Sequence, residues 1–286
     1  GGRIDYVYGT DGPNTQSFGT GEGWDNSWDN GPDDSGYGHA LPQVYGEVAY
    51  GDLSVKAGHF YTIIGYEVVT APDNFFYSHA YTFNNSEPFT HTGALATYNA
   101  SEDLTLYGGY VLGWDSGFDD NGDSFLGGIS AQLTCDWNFT YATVVGRFGE
   151  ARWQGVETGY MHSIVNQYTL CEDLLYVSQS DYLRTDDGAG VLNRETYGWN
   201  NYLIKTINDC WGVGTRFEWW ATRSQANAAA GRSHIYALTA GVNYRPHANL
   251  IVRPEFRWDW DDDRVAGLED GDDSQTTFAV DTILTF

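Results

Sequence analysis

The sequence has no apolar run long enough for a membrane-spanning helix, which needs about 20 consecutive, mostly apolar residues. Its mean hydropathy is −0.43. A bundle of membrane-spanning helices is therefore excluded, but a membrane β-barrel is not. In a barrel only alternate residues of each strand face lipid, so the average hydropathy conceals the apolar surface.

Basic residues are also scarce. The chain has 14 Lys and Arg against 39 Asp and Glu, which gives a formal net charge of −25. This excess of negative charge argues against nucleic acid, and against anionic surfaces in general, as partners. Much of the acid lies in two polar stretches, residues 115–123 and residues 261–273.

Cysteine occurs only three times, an odd number that does not fit a disulfide scaffold. Cys135, Cys171 and Cys210 each stand in or beside a tight turn, so we expect them to cluster near one rim of the folded chain. A disulfide between two of them and a lone thiol are both open alternatives.

Catalytic motifs are missing as well. The sequence has no Gly-x-Ser-x-Gly, no His-Glu-x-x-His, no phosphate-binding loop and no CxxC pair. Five scattered histidines stand beside no evident nucleophile: His59, His79, His91, His162 and His234. We therefore expect that the protein is not an enzyme.

The chain opens with Gly1-Gly2-Arg3, without an initiator Met, a charged region or an apolar leader. A signal peptide, if there was one, is already gone, and further sequence upstream of Gly1 is an open alternative. The length suits one large domain that comprises residues 1–286.

What the sequence does contain is a strict alternation of short and long connections. The six tight turns are centred on residues 52, 102, 135, 172, 209 and 248, and the other seven connections are longer and polar. Together they delimit fourteen strand-like segments: 2–9, 43–50, 53–61, 90–99, 103–114, 124–133, 137–148, 157–170, 173–184, 194–207, 210–223, 233–246, 249–261 and 276–286. Short periplasmic turns that alternate with longer outer loops are typical of an outer-membrane β-barrel.

The hairpins recur about every forty residues, a period that propeller blades also show. A blade has four short strands, however, whereas each period here holds two strands of about ten residues. Strands of about 9 to 11 residues suit a tilted membrane crossing, and strands of globular proteins are shorter. We therefore expect an all-β, transmembrane, antiparallel up-and-down barrel of about 14 strands rather than a propeller or a sandwich.

Alternation assigns a face to each residue of a strand. In segment 249–261, Phe256 and Trp258 share one face, while Arg253 and Arg257 share the other. Successive side chains of a strand point to opposite sides, so one set suits lipid and the other suits a watery lumen. The predicted pore-lining set is Lys56, Arg216, Glu218, Arg245, Arg253, Glu255, Arg257 and Asp259. A wall with separated basic and acidic groups filters ions, whereas salt-paired groups have no tuned role, and both alternatives stay open.

Residues 61–89 form the most unusual connection, because they are rich in apolar and aromatic side chains. Such a composition suits a loop that folds into the barrel mouth and packs against the wall. Glu67, Asp73 and Glu87 would then face the basic wall across a constriction. The alternative is an outer lid that packs on itself.

Residues 115–123 carry oxygen ligands at spacings that could hold calcium, but they lack the closing Glu of an EF-hand loop. A solvated acidic loop is the better interpretation, so calcium is the only cofactor that the sequence suggests, and we expect none.

The C-terminal segment alternates Phe278, Val280, Thr282, Leu284 and Phe286, a pattern similar to the signal read by the barrel insertion machinery. We expect this strand to pair with the first strand, near residues 3–8, because an open edge in lipid leaves backbone groups unsatisfied. Pro254 lacks a backbone donor, and we expect a local bulge around it.

Several stretches resemble the OmpL-like β-barrel porin family over roughly residues 43–286. They are Lys56-Ala57-Gly58-His59-Phe60, Ala71-Pro72-Asp73-Asn74-Phe75-Phe76-Tyr77-Ser78, Glu87-Pro88-Phe89-Thr90-His91-Thr92-Gly93 and Asn208-Asp209-Cys210-Trp211-Gly212. The resemblance implies passive diffusion of small solutes across an outer membrane, and it brings no catalytic residues.

We therefore expect an outer-membrane porin with both chain ends on the periplasmic side and a weak cation preference. Its expected partners are outer-membrane lipid and the insertion machinery, and a homo-oligomer is left open. The alternative function is a structural surface-array protein whose acidic loops are bridged by divalent cations.

Overall fold

Fourteen antiparallel strands form one sheet, in which every strand pairs with its neighbours in sequence. The computed structural model describes residues 1–9, 38–115, 117, 122–149, 157–224, 231–261 and 272–286. The strands are β1 Gly2–Gly9, β2 Gly38–Tyr50, β3 Leu53–Tyr61, β4 Thr90–Ser101, β5 Leu104–Val111, β6 Asp123–Thr134, β7 Trp137–Gly149, β8 Glu157–Cys171, β9 Leu174–Asp186, β10 Leu192–Asn208, β11 Trp211–Ser224, β12 Ser233–His247, β13 Leu250–Asp261 and β14 Ser274–Leu284. This is the strand order of an up-and-down barrel, as predicted.

The six tight turns are confirmed, because each joins two paired strands through two residues. Cys135, Cys171 and Cys210 lie at these turns, and all three are exposed and free of disulfides. The chain ends lie at the same rim, since Gly2 pairs with Gly46 and Leu284 pairs with Leu250. The predicted position of the cysteines is therefore confirmed.

Two expectations of detail were wrong. β2 begins at Gly38, five residues before the predicted start. No bulge surrounds Pro254, since β13 keeps one register with β14 through Arg253–Asp281, Pro254–Val280 and Glu255–Ala279. The ladder to β12 only omits the pairs opposite Pro254 and resumes in the same register. Among the described residues, the sheet order runs from β1 to β14 without a pairing between these two strands, and the predicted pairing of the last strand with the first stays a prediction.

The two faces of the sheet differ sharply. On one face, Phe125 pairs with Val145, and these side chains are 52% and 41% exposed. On the other face, Val144 pairs with Met161 and Met161 with Leu183, and all three are 0% exposed. An exposed apolar face is what a membrane barrel presents to lipid.

The hydrophobic core lies against the inner face of β3 to β9. Ile64 and Trp114, from two different connections, and Phe148, near the end of β7, pack with the inward-facing side chains of these strands. Sequence alternation had predicted a watery lumen, so this apolar filling of one side of the interior was not foreseen. The inner face of β9 to β13 is polar instead, and it carries the charged residues described below.

Residues 62–89, between β3 and β4, are named here the inserted segment. They contain a single 3₁₀ turn at Ala71–Asp73 and one short helix, α1, at Tyr81–Ser86. Within the described residues, no helix has the length and apolarity needed to cross a membrane.

Candidate functional site

The inserted segment folds inward and lies on the polar wall of β9 to β13. Wall carboxylates bind its backbone directly. Glu255 Oε2 accepts hydrogen bonds from the Tyr77 and Ser78 amides at 2.9 and 3.2 Å, and Glu218 Oε2 accepts one from the Tyr81 amide at 2.8 Å. Both glutamates were predicted to face the lumen, and here they fix the path of the segment across the interior.

Arg216 is the centre of this contact. Its guanidinium lies 2.6 Å from Glu67 of the segment and 2.7 Å from Glu218 of its own strand. It also donates to the Ser78 carbonyl at 2.6 Å. Arg216 is 0% exposed, so its positive charge is not accessible to solvent. A buried ion pair is strongly destabilised when one partner is removed, because the other charge is then left uncompensated.

Glu67 has four partners in all. Besides Arg216, the Ala80 amide donates to it at 2.8 Å, the Tyr202 hydroxyl donates at 3.0 Å, and His79 Nδ1 lies 3.1 Å away. Burial opposes ionisation of this carboxyl, but Arg216, His79 and the Ala80 amide outweigh burial and hold the pKa of Glu67 at about 2. Glu67 is therefore ionised at neutral pH, and it ties the segment to the wall.

Two further arginines, both on β13, donate hydrogen bonds to backbone carbonyls of the inserted segment. Arg253 pairs with Asp281 at 2.5 Å and donates to the carbonyls of Ala71 and Asn74 at 2.9 and 2.7 Å. Arg257 pairs with Asp259 at 2.8 Å and donates to the His79 carbonyl at 3.0 Å. Both side chains are buried. The basic wall thus holds the segment in place and does not face open water.

Close approach between the segment and the wall depends on glycine. The ring of Phe75 lies over Gly214, where a Cβ would be 2.6 Å from Phe75 Cε1. The ring of Phe76 lies over Gly241, where a Cβ would be 3.1 Å from the ring. Contacts under about 3 Å require something to shift, so any side chain at Gly214 would displace Phe75.

A second polar contact joins the segment to β9. Glu87 and Asp181 are both buried, and Gln179 Nε2 donates to each of them at 2.6 Å. Gln179 Oε1 accepts from the Tyr66 amide at 3.0 Å. Burial first, and then the neighbouring Asp181 carboxylate, raise the pKa of Glu87 well above its ordinary value. Two buried carboxyl groups this close do not both ionise, so Glu87 carries a proton.

Asp115 closes the far end of the segment. Its Oδ1 accepts hydrogen bonds from the Phe89 and Thr90 amides at 2.6 and 2.9 Å, and its φ of 48° is unusual for a residue with a side chain. Asp123 instead pairs with Arg147 at 3.8 Å. The suggested calcium ligands Asp119 and Asp120 lie outside the described residues. Among the described residues, no group of His, Cys, Asp and Glu has metal-site geometry.

The remaining predicted residues lie apart from the arginine contact. Asp73 is exposed, and within the described residues its only side-chain hydrogen bond comes from Thr70 at 2.8 Å, so it does not reach the arginines. Lys56 lies over the Phe60 ring at 4.4 Å. Arg245 shares the inward face of β12 but is exposed near the periplasmic turn. Whether any of these residues borders the path of a solute stays a prediction.

Open space remains on both flanks of the inserted segment. A cavity of about 390 Å³ separates the segment from the first strands, and its lining includes Arg3, Gln43, Tyr61 and Asp73. Toward β13 and β14, two cavities of about 330 and 390 Å³ lie beside Arg257 and Asp281. The segment therefore narrows the interior without filling it.

Sequence reasoning missed several residues that hold the segment. Gln179 and Asp181 were not singled out, although they alternate on one face of a well-patterned strand. Arg194, which pairs with Glu157 at 3.0 Å and donates to the Asn85 carbonyl at 3.3 Å, was missed because its strand was poorly patterned. Two polar residues that alternate on the inward face of a strand are the signal that would have identified Gln179 and Asp181.

Comparisons with known proteins agree with this geometry. A family model described as "Putative beta-barrel porin-2, OmpL-like" matches residues 1–286. No curated protein sequence matches the chain.

Several solved structures share the fold. In-vitro folded OmpT of Vibrio cholerae, in its trimer form, is 13% identical with a TM-score of 0.57 over 85% of this chain and 79% of that one. The outer membrane channel DcaP of Acinetobacter baumannii is 11% identical with a TM-score of 0.57 over 90% and 76%. The anion-selective porin from Comamonas acidovorans is 9% identical with a TM-score of 0.57 over 80% and 70%.

Proposed function

Because this chain belongs to the family described as "Putative beta-barrel porin-2, OmpL-like", we propose that it is a passive diffusion channel whose narrowest part is set by its own inserted segment. The family is one of outer-membrane β-barrel porins, and its members are channels and not enzymes. The observation that carries the proposal is the binding of the segment across the polar wall through Glu67, Glu218 and Glu255.

The solute path runs along the flanks of the segment, where the cavities lie. Free passage requires water-filled space, and the arginine contact leaves none between the segment and β11. Small hydrophilic solutes and ions are the class that fits such narrow, polar flanks.

The passage has a weak preference for cations. The arginines of β11 and β13 are neutralised by buried carboxylates, so they present little positive charge to a passing ion. Asp73 borders the cavity near the first strands and remains exposed. Charges at a constriction are screened less by salt than charges on outer loops, where the Debye length is about 8 Å at physiological ionic strength.

Reversal potential in a planar bilayer under a KCl gradient tests this preference. We expect the parent protein to favour potassium and Asp73→Asn to weaken that preference. Asp103→Asn, which removes an exposed carboxylate in a tight turn, is the matched control and should leave the reversal potential unchanged. Anion preference in the parent would contradict the assignment.

Two partners are proposed beyond outer-membrane lipid. The exposed apolar side chains of Phe278 and Val280 in β14, and of Phe286 just after it, support recognition of the C-terminal segment by the insertion machinery. Deletion of Phe286 should lower the amount of heat-modifiable barrel in the outer membrane. OmpT of Vibrio cholerae has a trimer form, and we propose a homo-oligomer here, which mass photometry in detergent would test.

The surface-array alternative has no support from the described residues. The acidic loops that would bind divalent cations lie largely outside the described residues. Within the described residues, Asp115 accepts a hydrogen bond from the Phe89 amide and Asp123 pairs with Arg147. The family assignment favours the channel.

A further inference from the structure

The outer face of β10 to β13 carries an ordered aromatic row near the long-loop end. Trp199 pairs with Trp219, Trp219 with Tyr236, and Tyr236 with Trp260, so these four side chains stand side by side on neighbouring strands. Trp199 is 45% exposed. Aromatic side chains gather at the interface between the hydrocarbon of a membrane and its headgroups, so this row marks the depth of that interface.

The next row toward the loops is formed by tyrosines. Tyr182 pairs with Tyr197, and their ring centroids lie 4.6 Å apart. One more step along each strand places the pairs Arg184–Glu195 and Glu195–Arg223 on the same outer face. Arg232 joins them from the residue before β12, with its guanidinium carbon 4.7 Å from the Tyr197 centroid. The four charged residues are named here the basic row.

The basic row has an excess of positive charge. Arg232 lies 2.5 Å and Arg184 4.0 Å from Glu195, and Arg184 lies 3.5 Å from Asp186. Arg223 is exposed and forms no ion pair within the described part of the chain. Three arginines thus face two carboxylates in a protein whose whole chain has only 14 Lys and Arg and a net charge of −25. Overall charge argues against anionic surfaces, but this outer rim is a local exception.

We propose that the basic row binds the phosphate groups of a phosphorylated glycolipid in the outer leaflet. Beyond the aromatic rows, the next protein groups lie at headgroup depth, where lipid phosphates are. Arginine offers a planar fork of donors that matches phosphate oxygens. Glu195 holds Arg184 and Arg232 in place, and Arg223 keeps its donors for the ligand. The proposal concerns the lipid-facing surface and does not depend on conduction through the interior.

Binding of a bis-phosphorylated lipid A to the purified barrel in detergent tests the proposal, with the dephosphorylated lipid as the comparison. We expect the parent to retain the phosphorylated lipid in native mass spectrometry and to bind it more tightly than the dephosphorylated form. Arg223→Gln with Arg232→Gln should weaken that binding by about 10- to 30-fold, since each basic residue near a charged membrane surface contributes roughly fivefold to binding.

Arg147→Gln is the matched control. Arg147 lies at the same end of the barrel and pairs only with Asp123 among the described acidic residues, at 3.8 Å. We expect less than about a twofold change for it. Heat-modifiable migration checks folding, and the single variant Arg223→Gln, which breaks no ion pair of the described residues, replaces the double variant if that fails to fold.

Three results would overturn the proposal. The first is equal binding of the phosphorylated and dephosphorylated lipids, and the second is an equal loss in Arg147→Gln. The third is displacement of the lipid by inorganic phosphate at millimolar concentration, which would identify a site for free anions. Retention of the phosphorylated lipid that only the basic-row variants lose would support it.

Discussion

Arg216→Met is the substitution that most directly separates a docked inserted segment from a loose one. Methionine keeps much of the apolar stem but removes the guanidinium that bridges Glu67, Glu218 and the Ser78 carbonyl. Glu218 keeps Arg257 at 3.1 Å, so Glu67 is the carboxylate that loses its strong cation. The perturbation therefore acts on the contact between the segment and the wall and leaves the strand pairing of the barrel intact.

The magnitude follows from the burial of both partners. Arg216 is 0% and Glu67 7% exposed, and removal of one partner of a buried ion pair costs about 3 to 5 kcal/mol. Since about 1.4 kcal/mol is tenfold in an equilibrium, the population of undocked segment should rise by roughly two to three and a half orders of magnitude. Glu67→Gln should cost less, because Arg216 keeps Glu218 and the Ser78 carbonyl.

Limited proteolysis with chymotrypsin reads out the docked state. Phe76 and Phe83 are 4% and 5% exposed, so the parent should resist cleavage there. In Arg216→Met we expect new cleavage within the inserted segment while heat-modifiable migration shows an intact barrel. Arg216→Met combined with Glu67→Gln should be cleaved less than Arg216→Met alone, since no buried charge is then left without a cation. Identical cleavage patterns in the parent and Arg216→Met would refute the conclusion that the Arg216–Glu67 ion pair docks the inserted segment.

Three further outcomes follow from the same contacts. Gly214→Ala should destabilise docking of the segment by about 1 to 3 kcal/mol through overpacking against Phe75, and it should raise single-channel conductance. Gly108→Ala is the control, because its Cβ would meet nothing closer than 4.0 Å, and it should leave conductance unchanged. The pKa of Glu87 is raised, so its contribution to docking is complete below the ordinary pKa of Glu and is lost as pH rises through the raised value. Raising the pH of the buffer should therefore increase channel noise in the parent but not in Glu87→Gln. Arg253→Ala with Arg257→Ala removes donors to four carbonyls of the segment and should raise conductance, and an unchanged conductance with a stronger cation preference would show that these arginines line the passage instead.

Much of the fold could be predicted because its signals are local. A tight turn followed by a large apolar residue and then strict alternation defines a strand regardless of its partners, as at Asp52-Leu53 and Asn249-Leu250. Alternation also placed Arg216, Arg253 and Arg257 on the inner face. The start of β2 was missed because Pro42 argues against a strand from local sequence alone.

The candidate site could be predicted only in part, because its contacts span the chain. Glu67 and Arg216 are separated by 149 positions, and their meeting depends on how a 28-residue connection crosses the interior. Composition predicted that this connection could fold inward, but it did not distinguish Glu67, which reaches the wall, from Asp73, which does not. The apolar filling of the β3 to β9 side was unforeseen, since alternation alone does not say what covers an inward-facing Met161 or Leu183.

Single-channel conductance in a planar bilayer tests most directly whether the inserted segment sets the width of a diffusion channel. The parent should show discrete openings of small conductance, and a variant in which a short Gly-Ser linker replaces residues 66–86 should show openings several times larger. Absence of channels in the folded parent, or equal conductance in the two proteins, would contradict a pore narrowed by this segment.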